Sequence, residues 1–369
     1  MNPEGKLRVG IAGYGVIGAK RHAVCRDHPV LEVVAVCDRK FGGRRELPDG
    51  TRSHGERDAL LAEDLDVLFV CLPNDVAPDA TIAGLERGLH VFCEKPPGRT
   101  VADIKRVRAV EARHPGLKLK YGFNHRYHPS VLSAHGLVQS GELGRLINLR
   151  GVYGKSALIP WPRPDASDTE ARRHPRHWRT SRSIAGGGIL LDQGIHMVDL
   201  MLLFAEAKFR DIHAFVDNGY WGHDVEDNAY ALMRTESGVV AMLHSSATLW
   251  RHRFTLDLSL TEGSIQLSGI LSGTKSYGEE RLTVIRREDE TNGLPTEHTT
   301  TYVDDESWRG EIEDFVDCII ADRPVTVGDS AAALASMQTV HRIYRADSSW
   351  ARRSRSAARV EAPRPTARS

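Results

Sequence analysis

Residues 7–18 read LRVGIAGYGVIG, and the fold follows from how this stretch is read. Its first six residues form a short apolar run, the pattern of a strand buried on both faces of a parallel sheet. Gly13, Gly15 and Gly18 follow in G-x-G-x-x-G spacing and lead into a helical stretch from about Val16 to His28. Glycine makes up 33 of the 369 residues, so the spacing alone says little; its place between a strand and a helix gives it weight. There Gly13 permits a tight turn, Gly15 lets a pyrophosphate approach the backbone, and Gly18 lets helix and strand pack closely. Asp38 stands twenty residues after Gly18, at the end of a second apolar run, LEVVAVC (31–37). A carboxylate there accepts both ribose hydroxyls of NAD and repels the 2′-phosphate of NADP. Arg39 beside it could stack on adenine or pair with a 2′-phosphate. The expected cofactor is NAD rather than NADP. The competing reading, a turn of glycines plus a surface aspartate, does not account for the agreement of strand, spacing and acid.

Strand and helix patterns keep alternating downstream. DVLFVCLP (66–73) and HVFCEK (90–95) read as strands around a helix at 78–88 that stops at Gly88. Thr100 and Asp103 open another helix in a capping pattern, through about Arg113, and LKLKYGF (117–123) is a further strand. This rhythm predicts a doubly wound parallel sheet, a Rossmann domain over residues 1–128. After Pro129 the pattern changes. Helical segments remain at about 130–140 and 190–204, among longer alternating strands: LINLRGVYG, FRDIHAFVDN, NAYALMRT, GVVAMLHSSA and FTLDLSL. TEGS (261–264) turns into IQLSG, a hairpin signal, and two late helices are expected at about 309–322 and 330–346. Residues 129–348 therefore read as an α+β domain with a large, mostly antiparallel open sheet. From Ala351 the chain holds six arginines, one glutamate and little to bury, which predicts a disordered basic tail over 349–369, with a phosphate-binding arm as the other reading.

Lys+Arg and Asp+Glu both number 49, so the body of the chain lacks the basic excess of a nucleic-acid binder. None of the five cysteines forms a CxxC pair; Cys37, Cys71 and Cys93 lie in or at the ends of strand-like runs and read as small buried hydrophobes. That usage suits a reducing compartment. MNPEGKLRVG shows no signal-peptide stretch and no run reaches the ~18 apolar residues of a membrane span. The expectation is a cytoplasmic protein without a membrane partner.

Two further segments carry chemistry. Glu94, Lys95 and Pro96 end the strand at 90–95, on the edge where open α/β sheets bind ligands, and Pro97 stiffens the exit. Lys95 would then stand near a nicotinamide; a surface lysine in a loop is the equal alternative. GGGILLDQGIHMVD (186–199) sets Asp192, His196 and Asp199 at i, i+4 and i+7, on one helical face, with Leu191, Ile195, Val198 and Leu202 on the neighbouring face. By itself the segment reads as a metal site, an acid–base site or a satisfied polar face, and its glycines are expected to let a ligand approach the backbone. WRTSR (178–182), with RRHPR (172–176), reads either as a phosphate clamp or as a solvated loop. His174, His177, His223, His244 and His252 read as ordinary polar or core histidines.

With GIAGYGVIG, CLPN, AGLERGLHVFCEKP, GFNHRYHP and GGGILLDQGIHMVD in place, the chain resembles the glucose–fructose oxidoreductase and inositol dehydrogenase (Gfo/Idh/MocA) family from about Leu7 to Tyr344. The resemblance implies an NAD(P)-dependent oxidoreductase acting on a secondary alcohol or ketone of a sugar, aminosugar, cyclitol or nucleotide sugar. It also implies a homodimer or homotetramer built through the C-terminal sheet. By matching position it implies that Lys95 lies near the nicotinamide and the reacting hydroxyl, and that Asp192 and His196 are the substrate-binding and catalytic pair of a D-x-G-x-H motif. It implies cofactor contacts from Gly13, Gly15, Val16, Ile17, Gly18, Asp38, Arg39, Leu72, Pro73, Asn74, Glu94, Lys95 and Trp178. Substrate contacts are implied for Lys95, Asn124, Arg126, Arg179, Asp192 and His196. The chain departs from the family pattern at Ala77, where a histidine is common, and at Pro97, where leucine is common. On this reading His196, with an ordinary pKa of ~6.5, is the general base. Asp192 orients it or a substrate hydroxyl, Lys95 favours the developing alkoxide, and no metal is required. Two competing functions are an NAD-dependent glycosidase that oxidises transiently and a non-catalytic NAD-binding sensor.

Overall fold

The apolar run at residues 7–12 is strand β1 (Leu7–Ala12), at the centre of a sheet in the computed structural model, which describes residues 5–42, 45–159, 177–272, 275–287 and 295–353. Its partners are β2 (Leu31–Cys37), β3 (Arg45–Glu46), β4 (Arg52–His54), β5 (Val67–Val70), β6 (His90–Cys93) and β7 (Leu119–Tyr121). They lie in the order β3-β4-β2-β1-β5-β6-β7, parallel except for the β3–β4 pair. The strand order reverses at β1, which opens a crevice beyond the carboxyl ends of β1 and β5. Helices α1 (Val16–Arg26), α2 (Arg57–Leu61), α3 (Ala77–Glu86) and α4 (Val101–Glu111) fill the connections. The central strands are apolar throughout because both sheet faces are covered: Val9, Ile11 and every residue of β5 are buried. The expected capping box opens α4, where Thr100 Oγ1 accepts from Asp103 N and the Asp103 carboxylate accepts from Thr100 N.

Helix α5 (Pro129–Ser140) leads into the second sheet. This sheet comprises β8 (Leu146–Gly154), β9 (Phe209–Asp217), β10 (Asn228–Thr235), β11 (Val240–Ser246), β12 (Arg253–Leu260), β13 (Gly263–Ser268), β14 (Glu280–Arg286) and β15 (Thr296–Tyr302). Their order is β15-β14-β13-β12-β8-β11-β10-β9. Pairing is antiparallel as expected, except that β8 and β11 run parallel at the centre, from Asn148↔Val240 to Gly154↔Ser246. The inner face carries the buried alternate residues Leu149, Ala231, Leu243, Leu256 and Leu258. A short helix α6 (Arg182–Ala185), a π-helical turn at Leu190–Gly194 and α7 (Ile195–Ala205) follow one another. The helical stretch Arg182–Ala205 is long and apolar enough to cross a membrane by length and mean composition, although Asp192, Gln193, His196 and Asp199 interrupt its apolar run. Its most apolar window is 78% buried inside the fold, so packing accounts for its composition.

Two late helices differ from a simple two-part division. Ile312, Phe315 and Val316 of α8 (Ser307–Ile320) pack with Leu7, Val9, Phe69 and Phe92. This helix therefore returns to cover the first sheet, which must be protected on both faces. Helix α9 (Ser330–Ala346) is capped by Asp329, whose carboxylate accepts from Ala332 N, and buries Met337, Val340 and Ile343 in the main core. The order also continues into the expected tail. Trp350 is buried, Asp347 accepts from the amides of Ser349, Trp350 and Val216, and the Arg182 guanidinium lies over the Trp350 ring. The rest of the basic tail, residues 354–369, lies outside the described residues.

Candidate active site

The glycine loop is built for a phosphate-bearing ligand. Gly13 has φ +92°, and a Cβ on it would collide with the Cys71 carbonyl, while one on Gly18 would collide with the Gly13 carbonyl. A Cβ on Gly15 would meet nothing within 4 Å. Gly15 is the N-cap of α1 and offers no side-chain cap, so the free N–H groups of the first turn face open space beside an exposed Val16 and a half-buried Ile17. Asp38 is fixed at the end of β2: its two carboxylate oxygens accept from Tyr14 N (2.9 Å) and Lys40 N (3.1 Å). Each oxygen keeps a lone pair for a ribose hydroxyl. Arg39 is exposed beside it. These residues fit a dinucleotide. Asp38→Ala is expected to weaken NAD binding roughly 10- to 100-fold, the size of a lost charged hydrogen bond, while NADP binding falls less or improves. Fluorescence titration of both cofactors checks this, and NADP binding tighter than NAD in the unaltered protein would reverse the assignment of Asp38.

Leu72 and Pro73 lie half-buried where β5 ends, but two expected cofactor contacts are otherwise engaged. Asn74 is buried and its Nδ2 donates to Ala185 O (2.7 Å), so its amide nitrogen bridges to the segment before the three glycines. Glu94 Oε1 accepts from Arg21 Nε (2.8 Å) and lies 2.7 Å from Nη2 of the same guanidinium. Arg21 is fully buried, donates to Glu311 Oε1 (2.6 Å), and lies between the rings of Phe92 (4.5 Å) and Trp308 (4.2 Å). Glu94 thus anchors the end of β6 through Oε1.

Lys95, Asp192 and His196 come together. Lys95 Nζ donates to the main-chain carbonyl of Asp192 (2.6 Å), and the Lys95–Pro96 bond is cis. The Asp192 carboxylate receives Arg179 Nε on one oxygen (3.0 Å) and faces Lys155 Nζ from the other (3.4 Å). Burial alone would raise the Asp192 pKa, but Lys155, Arg179 and Lys95 together outweigh it and hold the carboxyl well below the usual range. Burial lowers the Lys95 pKa; Asp192 and Glu94 oppose this, while Arg179 and Lys155 reinforce it. His196 is buried one turn on, and burial, then Lys95 and His128, push it well below its ordinary value, leaving a neutral imidazole. Its Nδ1 is buried without a partner, a polar atom left for a ligand or water. The ring stacks on His125 at 3.8 Å, and His125 in turn meets Tyr153 Oη (3.0 Å) and Asn124 Oδ1 (3.2 Å).

Other expected substrate contacts face inward. Asn124 Nδ2 donates to Ser307 Oγ (3.1 Å), and Arg126 donates through Nε and Nη2 to the two oxygens of Asp199 (2.6 and 2.8 Å), a carboxylate that also accepts from Ser336. Residues 124–127 form a 3-10 turn packed against α7 and α8, which supply these two partners. Arg179 reaches the site, with its guanidinium 4.3 Å over a half-buried Trp178. The glycines at 187 and 188 serve packing, not ligand approach: a Cβ would collide with the Tyr344 hydroxyl or the Glu226 carbonyl. Buried Glu226 accepts from Gly188 N (2.7 Å), Leu190 N (3.0 Å) and Tyr344 Oη (2.7 Å), capping the turn that carries Asp192. That turn is π-helical, a form common at functional sites. The sequence reading did not identify Lys155 or His125. Lys155 had one visible signal, a charge directly after the alternating strand LINLRGVYG; His125 had its place in GFNHRYHP, between Asn124 and Arg126. RRHPR and His174 lie outside the described residues. Among the described residues, no group of His, Cys, Asp and Glu is arranged to hold a metal.

The sequence matches the family model described as "Oxidoreductase family, NAD-binding Rossmann fold" over residues 7–123 and that of the "GFO/IDH/MocA C-terminal domain" over residues 131–266. The D-glucoside 3-dehydrogenase of Escherichia coli is 30% identical over 66% of this chain and 71% of its own length. The levoglucosan dehydrogenase of Pseudarthrobacter phenanthrenivorans is 26% identical over 70% of this chain and 73% of its own. A solved levoglucosan dehydrogenase in complex with NADH and L-sorbose shares the fold with a TM-score of 0.77, at 20% identity, covering 94% of this chain and 97% of that one.

Proposed function

We propose that this chain, which belongs to the GFO/IDH/MocA family of NAD(P)-dependent oxidoreductases, oxidises a ring secondary alcohol of a sugar or cyclitol with Lys95, Asp192 and His196 handling the hydroxyl. The observation that carries this is that a half-buried lysine donates to the Asp192 carbonyl one turn before a buried histidine whose Nδ1 has no partner, next to the edge of the dinucleotide sheet. When bound on the Gly13–Gly18 loop and Asp38, NAD supplies the hydride acceptor. Lys95 Nζ holds the reacting oxygen and takes up its proton, and a ring nitrogen of His196 is the second proton acceptor. Asp192 stays ionised and orients the lysine through its carbonyl and a neighbouring hydroxyl through its carboxylate. In the reductive direction the same groups return the proton. The names of the two relatives above support a sugar as substrate. We divide the chain into a cofactor part, 1–128, and a substrate part, 129–348, with α8 returned to the first sheet.

The test is a screen of NAD reduction across inositols, aminocyclitols, hexoses, their glycosides and nucleotide sugars, repeated with His196→Ala. Turnover of one of these classes, lowered at least 100-fold in the variant, is expected. A variant that turns over at the native rate removes His196 from proton transfer, and no turnover of any class overturns the substrate reading. Self-association is supported by the outer face of β11, β10 and β9, where Phe215 pairs with Tyr230 and Leu232 with Met242 in register, all four exposed. A dimer or tetramer through this face would cover them. A cytoplasmic location is supported by the five free cysteines.

A further inference from the structure

One end of the second sheet carries more than the catalytic cluster uses. Lys155 emerges from β8 there, and the loop between β11 and β12 is tied to it: Lys155 N donates to Ser246 O (2.9 Å), and Leu249 N donates to Lys155 O (3.0 Å). His252, two residues beyond Trp250, has its Nε2 3.2 Å from Ser156 Oγ and its Nδ1 2.8 Å from Ser276 Oγ. Trp250 stands between these tethers and is 62% exposed. Tyr220, from the loop after β9, is 56% exposed, and its ring meets Trp250 edge-on at 5.4 Å and 76°. That loop is also fixed. Asp227 Oδ2 accepts from Tyr220 N (2.9 Å) and Trp221 N (3.0 Å), and Trp221 Nε1 donates to Ala247 O (2.6 Å). Two large rings are thus held open to water on well-braced backbone, and Trp250 directly follows Leu249, whose amide is bonded to the lysine that faces the Asp192 carboxylate. Scattered exposed aliphatics are ordinary, but a rigid, paired aromatic surface beside a polar site marks a place for a ligand with one apolar face.

We propose that Trp250 and Tyr220 form a second sugar subsite, on which a pyranose ring joined to the ring being oxidised stacks its C–H face. The preferred substrate is then a disaccharide or larger glycoside rather than a free monosaccharide. This rests on the reading that a sugar is oxidised at Lys95, Asp192 and His196. A pyranose suits the surface because its axial C–H groups lie on an electron-rich ring while its equatorial hydroxyls point sideways, free for polar partners.

The experiment uses the full-length enzyme with NAD, and compares the monosaccharide turned over in the screen, its methyl and phenyl glycosides, and a disaccharide with the same reacting ring. Each is run with the native protein, Trp250→Ala and Tyr220→Ala. Calorimetric titration of the disaccharide into the NADH complex gives its Kd separately from turnover. Removal of Trp250 is expected to raise KM and Kd for the disaccharide roughly 10- to 100-fold, the usual range for an aromatic anchor, with monosaccharide values unchanged within about twofold. Equal effects on both sugars, or none on either, overturn the subsite. A gain confined to the phenyl glycoside overturns the choice of a second sugar ring. A changed mass of Trp250→Ala by light scattering overturns it in favour of a second copy of the chain on these rings. If the native enzyme reduces NAD with no sugar at all, the functional reading falls, and the titration still decides the subsite: disaccharide binding lost in Trp250→Ala upholds it, and no binding overturns it.

Discussion

Lys95→Met lowers kcat by about 10²- to 10⁴-fold, the span of a lost general acid–base group, and leaves the Kd for NADH within about threefold of the native value. Methionine matches the length of the lysine stem, so packing at the end of β6 persists while the ammonium is lost. What disappears is the donor to the Asp192 carbonyl, 2.6 Å away, and the group that receives the hydroxyl proton. The pH dependence separates this role from a structural one. Burial lowers the Lys95 pKa from its ordinary 10.5, and the proton must be off for the lysine to act as a base. In the oxidative direction kcat/KM therefore rises with pH through a value below 10.5, and this limb vanishes in the variant. His196 adds no limb near 6.5, because burial keeps its imidazole neutral well below that pH. Rates and pH profiles of the two proteins decide the matter. A Lys95→Met enzyme within tenfold of native, or one that keeps the alkaline rise, would remove Lys95 from the chemistry.

Arg21→Met destabilises the protein by about 3–5 kcal/mol, on the order of 10 °C in Tm, because two carboxylates lose their common partner in the interior. Arg21 joins three parts of the chain: α1, which carries it, Glu94 at the end of β6, and Glu311 on α8. The pH dependence has a definite sign. Burial raises the Glu311 pKa; Arg21 opposes the rise and Glu94 adds to it. A carboxyl raised above its unfolded value contributes stability that is complete below about pH 4.5 and is lost as pH rises through the folded value. Without Arg21 the Glu311 carboxyl moves higher still, so the gap between native and variant is smaller near pH 5 and wider near pH 8. Calorimetric melting at the two pH values checks this, and adding Glu311→Gln to Arg21→Met narrows the gap at pH 8. A Tm within about 2 °C of native at both pH values would show that the pair of acids does not depend on Arg21.

Where local pattern and local structure share a length scale, the chain is legible from its sequence. NAYALMRT alternates over eight residues and is β10 to the residue; the helix after Asp329 has its cap, its apolar stripe and its length in one segment. β3, β4 and α2 are two to five residues long, too short to show a period. β15 lies at the edge of the second sheet, and TEHTTTY carries little inward alternation. The parallel β8–β11 pair joins strands far apart in sequence, which turn signals between neighbours cannot reveal. The site divides the same way. Lys95, Asp192 and His196 stand in short motifs with a spacing that can be argued. Asn74, Glu94, Asn124 and Arg126 are polar residues in equally suggestive motifs, but their partners lie on distant segments, and a side chain's identity does not say which partner it has.

The bracing of the Asp192 turn has a consequence for the order in which the protein becomes competent during synthesis. Glu226 fixes the turn, and the hydroxyl that completes Glu226's bonding belongs to Tyr344, close to the end of the described chain. The first sheet likewise waits for α8 and Glu311 before Arg21 is satisfied. A nascent chain that has already emitted the glycine loop, the lysine and the histidine therefore holds every reactive group and neither scaffold. The site is braced only once α8 and α9 have docked, one on the first sheet and the other on the turn that carries Asp192.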